Sequence, residues 1–170
     1  MNIIIFIFLA ILILPTAYAC ILAAPPVPTR KKALKQIFKM AKIKPGQKVY
    51  DLGSGTGRIL IRADKLYQAQ AIGFELSVPF YLFSKFNIFF NKAQNTRIYF
   101  KNFYKQDLSQ ADLVFCFLTP FAMKKLALKF QNELKSQAKI ISFVFQIPDW
   151  QAKEIFRHKR FGPIFLYEKK

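Results

Sequence analysis

The chain has 170 residues, enough for one domain of ordinary size with a hydrophobic core. Hydrophobic residues make up 53% of it, which excludes an intrinsically disordered protein. The formal net charge of +18 favours anionic partners, either nucleic acid or acidic lipid, and the two cysteines predict neither a disulfide framework nor a metal site.

The first 24 residues predict a transmembrane anchor. Residues 1–29 contain no charged side chain, and about 22 helical residues span roughly 33 Å, enough to cross a bilayer core. A cleaved signal peptide is the alternative, because Ala17-Tyr18-Ala19 has the form of a cleavage site, but the segment lacks a basic N-terminal region.

The basic residues after this segment predict its orientation. Eight of them follow one another with no acid between them, so the positive-inside rule predicts a single-pass membrane protein with residues 30–170 in the cytoplasm. They are Arg30, Lys31, Lys32, Lys35, Lys39, Lys42, Lys44 and Lys48.

A proline-rich linker at 25–29 separates the anchor from a predicted helix that Thr29 caps and Pro45 ends. One apolar stripe runs along this helix with lysines around it, formed by Leu34, Ile37, Phe38 and Ala41. The basic face is interpreted as solvated, and it can in addition dock on acidic lipid headgroups.

Strands and helices then alternate. Strands are predicted at 48–52, 69–76, 97–100, 112–118 and 139–145, helices at 57–67, at 78–92 and from Pro120, and two short strands within 155–167. This order predicts a Rossmann-like α/β domain over 30–170, with a central, mostly parallel sheet and helices on both faces. Ligands of such sheets bind at the carboxyl ends of the strands.

The helix predicted at 78–92 is strongly aromatic. Its phenylalanines either face lipid or pack under the sheet, and the sequence favours neither arrangement. They are Phe80, Phe83, Phe86, Phe89 and Phe90.

An acidic, glycine-rich segment joins the first strand to the next helix. It consists of Asp51, Leu52, Gly53, Ser54, Gly55, Thr56 and Gly57. Glycine lets the backbone turn tightly and approach a ligand closely. Because Asp51 repels a phosphate and attracts an amine or sulfonium, the segment favours S-adenosylmethionine over a dinucleotide. Glu75, at the end of the second strand, is predicted to accept hydrogen bonds from both ribose hydroxyls.

The third strand leads into the predicted adenine site. We expect Phe103 to pack against the adenine ring and the Asn102 side chain to accept a hydrogen bond from its exocyclic amine. Asp107 is the alternative for the polar contact, although it is better placed to cap a turn before Ala111.

These segments resemble the membrane-anchored protein-lysine methyltransferases related to the mitochondrial enzymes that modify the ATP synthase c subunit and the adenine nucleotide translocase. The resemblance rests on residues 50–58, 73–76, 102–104, 107–109, 117–120, 125–134 and 145–150. It implies a class I methyltransferase that uses S-adenosylmethionine and modifies a lysine. In one departure, the eukaryotic relatives carry aspartate where this chain has Asn102.

The end of the fourth strand is expected to lie beside the transferred methyl group. Thr119 and Pro120 are there, and Pro148 and Trp150 follow the fifth strand, so these four residues are predicted to line a substrate channel. The Asn/Asp-Pro-Pro-aromatic motif typical of enzymes that methylate the amino groups of bases is missing at this position.

No general base is identified by the sequence. Cys116 lies within an apolar strand and is interpreted as a core residue, whereas His158, among basic neighbours, is interpreted as a surface residue.

The favoured function is therefore lysine N-methylation of a membrane-associated protein with S-adenosylmethionine as cofactor. The alternative is an RNA or small-molecule methyltransferase, for which the charge of +18 is the main argument. A third hypothesis is a non-catalytic, membrane-anchored protein that retains the methyltransferase fold.

Overall fold

The computed structural model describes residues 2–22 and 29–170. Most of the predicted linker, at residues 25–28, therefore lies outside the described residues, as do parts of the predicted anchor. The helices are α1 (Asn2–Leu22), α2 (Lys31–Ala41), α3 (Arg58–Tyr67), α4 (Val78–Phe90) and α5 (Pro120–Glu133). The strands are β1 (Lys48–Leu52), β2 (Gln70–Glu75), β3 (Thr96–Phe100), β4 (Leu113–Cys116), β5 (Lys139–Phe143), β6 (Glu154–Phe156) and β7 (Ile164–Glu168).

The seven strands form one sheet in the order β3-β2-β1-β4-β5-β7-β6. The first five are parallel to one another, and β7 runs antiparallel to both β5 and β6. The predicted mostly parallel sheet is therefore confirmed. Strand order reverses between β1 and β4, which places a crevice at their carboxyl ends.

Helices cover both faces of the sheet, as predicted. Helices α2 and α3 pack on one face, where Leu34 and Leu60 join an apolar cluster with β1, β4 and β5. Helix α5 packs on the other face, where Leu126 and Phe130 are completely buried. Burial of both faces explains why β4 reads in the sequence as an unbroken apolar run.

Two of the predicted helix starts have different outcomes. Pro120 is the first residue of α5, and the Thr119 hydroxyl accepts a hydrogen bond from the Ala122 backbone N–H at 3.4 Å. The prediction that Thr29 caps α2 is wrong. The helix begins one residue later than that cap requires, and Arg30 occupies the cap position without a side-chain hydrogen bond.

Helix α1 lies against the start of α4, where the hydroxyl oxygens of Thr16 and Ser77 are 2.9 Å apart. Several of its apolar side chains are exposed, among them Ile3, Phe6 and Leu14. Within the described part of the chain, no helix combines the length and the hydropathy needed to cross a membrane.

Gly73, in β2, lies where the sheet, α3 and the glycine-rich loop meet. A Cβ atom at this position would come within 2.4 Å of Leu60 Cδ1 and 2.8 Å of Ser54 Oγ. Both neighbours are buried. The strand therefore has no room for a side chain here, although its neighbours along the strand carry them.

We predict that Gly73→Ala lowers the free energy of unfolding by about 1–3 kcal/mol, because the added methyl group overpacks a filled site. Thermal unfolding followed by circular dichroism measures this effect. Gln70→Ala, at an exposed position of the same strand, is the control and should change stability by less than about 0.5 kcal/mol. Equal melting temperatures for Gly73→Ala and the wild type would contradict the prediction.

Candidate cofactor-binding site

The loop between β1 and α3 adopts a conformation that requires glycine. Gly53, Gly55 and Gly57 have φ angles of 82°, 52° and 75°, in the left-handed region that side chains disfavour. The backbone N–H groups of Gly53 and Ser54 both donate to the Phe74 carbonyl at 3.0 Å. The loop is thereby fixed to the end of β2.

The Glu75 carboxylate joins the same loop from the end of β2. Its Oε2 accepts a hydrogen bond from the Gly55 N–H at 2.8 Å, while its Oε1 accepts from the N–H groups of Leu76 at 2.9 Å and Ser77 at 2.8 Å. The side chain is 8% exposed. Glu75 therefore connects the carboxyl end of β2 to the middle of the glycine-rich loop.

Asp51 is buried beside this arrangement and is 2% exposed. Burial, reinforced by the negative charge of Glu75, raises the pKa of Asp51 to about 8. Among the residues that the structure describes, neither carboxylate forms an ion pair. Two acids close together without a cation favour a positively charged ligand.

The loop also holds an unsatisfied polar atom. Within the described part of the chain, Ser54 Oγ is buried and has no hydrogen-bond partner. A buried hydroxyl without a partner is costly, and a bound polar group satisfies it. Together with the two carboxylates, this hydroxyl fits a ligand that carries a sulfonium, an ammonium and hydroxyl groups, as S-adenosylmethionine does.

Helix α4 supports the loop from outside through two residues that sequence reasoning missed. Asn87 donates a hydrogen bond from Nδ2 to the Thr56 carbonyl at 3.0 Å. Ser84 is completely buried, and a Cβ atom added to Gly57 would come within 3.3 Å of the Ser84 Cβ. The available signal was the appearance of two uncharged polar residues, three positions apart, in a helix whose other residues, except Lys85, are apolar or aromatic.

The predicted adenine site lies beside the end of β3. The Asn102 Oδ1 accepts a hydrogen bond from the Tyr104 backbone N–H at 3.0 Å and caps a short 3₁₀ turn at Phe103–Lys105. Phe103 is buried in the core. Their contacts with adenine stay predictions. Asp107 accepts hydrogen bonds from the backbone and hydroxyl of Ser109, which confirms its interpretation as a turn cap.

The four predicted channel residues lie after β4 and β5. Thr119 and Pro148 are half-buried, and Pro120 is exposed. Trp150 is half-buried and packs edge-on to Tyr167 with ring centroids 6.3 Å apart. The Tyr167 hydroxyl accepts a hydrogen bond from the buried Ile147 N–H at 3.0 Å, which fixes the turn before Pro148. A shared channel stays a prediction.

Burial makes two other side chains, Cys116 and Tyr104, poor candidates for a base or nucleophile. Cys116 is completely buried, and burial raises the pKa of its thiol well above its usual range, which confirms it as a core residue. Burial also raises the pKa of Tyr104 to about 12, so its hydroxyl is protonated at neutral pH. His158 is half-buried and stacks on Phe161 with ring centroids 4.0 Å apart, between β6 and β7.

The model of the ANTKMT methyltransferase domain family matches residues 51–154, from Asp51 to the start of β6. The chain belongs to this family. The match begins at the buried acid before the glycine-rich loop and contains every residue predicted to bind the cofactor or line the channel. The family recognised in the sequence is thereby confirmed, whereas membrane anchoring stays a prediction.

Similar proteins include several lysine methyltransferases. The chain is 33% identical to a protein-lysine N-methyltransferase of Saccharolobus islandicus, with 78% of this chain and 84% of that protein aligned. It is 35% identical to the lysine N-methyltransferase of the ATP synthase c subunit from Xenopus laevis, over 79% of this chain and 59% of that protein. The chain thus spans most of the Saccharolobus relative but less than two thirds of the Xenopus one.

A solved structure confirms the fold of this family member. An RNA methyltransferase from Salinibacter ruber in complex with S-adenosyl-L-homocysteine superposes with a TM-score of 0.80, over 84% of this chain and 93% of that one. The two sequences are 24% identical, so the likeness establishes the Rossmann-like methyltransferase fold.

We predict that the free protein becomes less stable as pH rises from about 4 to about 8. Unfolded Asp51 loses its proton near its ordinary pKa of 3.8, whereas the folded chain keeps it until the pKa of about 8. In this interval the folded state binds more protons, so deprotonation works against folding. Asp51→Asn removes this loss, and its melting temperature at pH 8 should exceed that of the wild type.

Thermal unfolding across this pH range tests the prediction. Asp149→Asn is the matched control because Asp149 is exposed and has a φ angle of 62°, which asparagine tolerates. This control should follow the pH dependence of the wild type. An unchanged pH dependence in Asp51→Asn would show that Asp51 is not the titrating group.

Proposed function

We propose that this chain is an S-adenosylmethionine-dependent methyltransferase that modifies a lysine side chain of a membrane-associated protein. The observation that carries the cofactor assignment is the pair of buried acids, Asp51 and Glu75, at the glycine-rich loop, which form no ion pair within the described part of the chain. Asp51 is largely protonated at neutral pH, and a cationic ligand offsets the repulsion that its ionisation would create beside Glu75. A dinucleotide, with its anionic pyrophosphate, increases it.

The residues of the loop define how such a cofactor is held. When bound, S-adenosylmethionine supplies a methyl group on a sulfonium. A carboxylate offers about four lone-pair sites, and three backbone N–H groups occupy three of them on Glu75. One ribose hydroxyl can therefore donate to the remaining lone-pair site of Glu75. A second hydroxyl can donate only if the Gly55 N–H releases its hydrogen bond to this carboxylate. Asp51 and Ser54 remain for the amine and other polar groups.

The lysine must reach the methyl group as a neutral amine. An apolar, water-poor channel favours the neutral form, because desolvation lowers the pKa of an amine. The half-buried Trp150 and Pro148, on the loop that Tyr167 fixes, supply such surroundings in this proposal. The chain's role is then to orient the amine and exclude water, which suits an in-line displacement.

Relatives support a protein lysine as substrate. Three that the chain matches are named for lysine methylation, one of proteins in general, one of the ATP synthase c subunit and one of the adenine nucleotide translocase. The last, from Mus musculus, is 29% identical over 76% of this chain. In this proposal the present chain also acts on a protein at a membrane.

We further propose that residues 1–24 anchor the domain as a single span, with residues 30–170 on the cytoplasmic side. The support is the absence of charge over residues 1–29 and the eight basic residues from Arg30 to Lys48, which the positive-inside rule places in the cytoplasm. The proposed span includes residues outside the described part of the chain. The same basic flank suits acidic lipid headgroups.

We predict that Glu75→Ala weakens S-adenosylmethionine binding roughly 10- to 100-fold, the loss of one charge-assisted hydrogen bond. Isothermal titration calorimetry on the full chain measures the affinity. Glu154→Ala, at an exposed position on β6, is the control and should bind as the wild type does. Unchanged affinity in a folded Glu75→Ala variant would contradict the assignment of Glu75.

The substrate is tested in cells that lack the gene. Mass spectrometry of membrane and ribosomal fractions should show that methylation is lost from a lysine of a membrane protein and restored by the wild-type chain but not by Glu75→Ala. A nucleoside methylation that disappears instead, with protein lysines unchanged, would favour an RNA methyltransferase. No methylation change in any fraction would favour the non-catalytic hypothesis.

A further inference from the structure

Helix α4 carries an aromatic face that the fold leaves uncovered. Phe83, Phe86, Phe89 and Phe90 are 53%, 58%, 77% and 62% exposed, with α1 already packed against the start of the helix. Their spacing of three, four and seven positions puts them on neighbouring turns of one side. The sequence left open whether this helix is buried under the sheet, and the structure leaves these four rings outside the core.

The opposite side of α4 contacts the glycine-rich loop between β1 and α3. Ser84 packs against Gly57, and Asn87 donates to the Thr56 carbonyl at 3.0 Å. The exposed rings therefore point away from the loop on a helix that contacts it directly. Whatever covers the aromatic face lies one helix diameter, about 10 Å, from the glycine-rich loop.

The charged side chains in the segment of chain that contains α4 are all positive. Residues 76–106 contain no aspartate or glutamate. All the basic residues of this segment are exposed. They are Lys85, Lys92, Arg97, Lys101 and Lys105. A second copy that docked through the same face would bring two such acid-free surfaces together, which like charges oppose. Anionic lipid headgroups have the complementary charge.

The aromatic face also lies beside another exposed apolar surface. Helix α1 carries exposed Ile3, Phe6 and Leu14, and it contacts α4 through Thr16 and Ser77. Exposed apolar area of this extent is uncommon on a soluble monomer and typically marks an interaction or membrane surface. Aromatic rings with flanking lysines are typical of helices that lie in a lipid interface.

We propose that the exposed face of α4 lies in the headgroup region of an anionic bilayer, as a second membrane contact besides the anchor. This proposal rests on the membrane location proposed above and deepens it. The rings of Phe83, Phe86, Phe89 and Phe90 enter the boundary between headgroups and acyl chains to a depth of about 5–10 Å. The glycine-rich loop on the other side of α4 is thereby held close to the membrane surface.

Tryptophan fluorescence of the full chain in vesicles tests the proposal. Trp150 is the single tryptophan, so Trp150→Phe provides a dark background for Phe89→Trp. The matched control is Leu128→Trp on α5, an exposed apolar position of 68% exposure. In vesicles of phosphatidylcholine and phosphatidylglycerol with brominated acyl chains, we expect strong quenching for Phe89→Trp and little for Leu128→Trp.

A charge variant tests the lipid preference. Adding Lys85→Glu and Lys92→Glu to Phe89→Trp should reduce its quenching in vesicles that contain phosphatidylglycerol and have less effect in phosphatidylcholine alone. Equal quenching of Phe89→Trp and Leu128→Trp would overturn the proposal. A shift of the Phe89→Trp emission that grows with protein concentration, without quenching by brominated lipid, would also overturn the proposal. It would indicate that a second copy of the chain covers this face.

Flotation of the same samples separates this proposal from the anchor. A chain that floats with vesicles but shows no quenching at position 89 retains the anchor and overturns the α4 contact. A chain that does not float overturns both. Calorimetry with S-adenosylmethionine on Phe89→Trp in the wild-type Trp150 background should give wild-type affinity, which shows that the cofactor site is intact whichever outcome is found.

Discussion

The hydrogen bond between the Glu75 carboxylate and the Gly55 backbone N–H connects the two halves of the candidate site. It joins the end of β2 to a loop whose three glycines adopt left-handed conformations. Without such a fixed point, the loop would have many conformations open to it, because glycine restricts the backbone least. A buried acid therefore helps to set the position of the loop, together with the Phe74 carbonyl that accepts from Gly53 and Ser54.

That acid lies close to a second one, and this closeness has opposite effects on folding and on binding. The burial of Asp51 beside Glu75 disfavours charge on Asp51, which costs stability in the free protein. A cationic ligand offsets this effect, because its positive charge favours the ionised form of Asp51. Strain concentrated at a functional site in this way is common in enzymes. The unpaired Ser54 hydroxyl adds to it.

The sequence predicted the fold well because alternation and strand burial act locally. The apolar run that predicts 112–118 reflects a strand buried on both faces, and its observed extent, Leu113–Cys116, is shorter because loops also contribute apolar residues. The positions of Asp51 and Glu75 were predictable because both lie in or next to predicted strands that end at the glycine-rich segment, and their contacts with a cofactor stay predictions. The N-cap of α2 was not predictable, because a shift of one residue in the start of the helix replaces Thr29 by Arg30.

Contacts between distant segments were beyond sequence reasoning. Asp64 is buried in α3 and accepts hydrogen bonds from the backbone and side chain of Asn95 and from the Thr96 hydroxyl, 31 and 32 residues away. Nothing in the pattern of α3 indicates these partners. Asn87 and Tyr167 act in the same way, each reaching a loop that only the folded sheet brings near.

The order of the last strands has a consequence for synthesis. Strand β7 is made after β6, yet it lies between β5 and β6 in the sheet. Until β7 has left the ribosome, β5 has an open edge and β6 lacks its neighbour. Unpaired strand edges are prone to aggregate during folding. The loop with Trp150, which lies between β5 and β6, is therefore fixed late, after the parallel part of the sheet has had time to form.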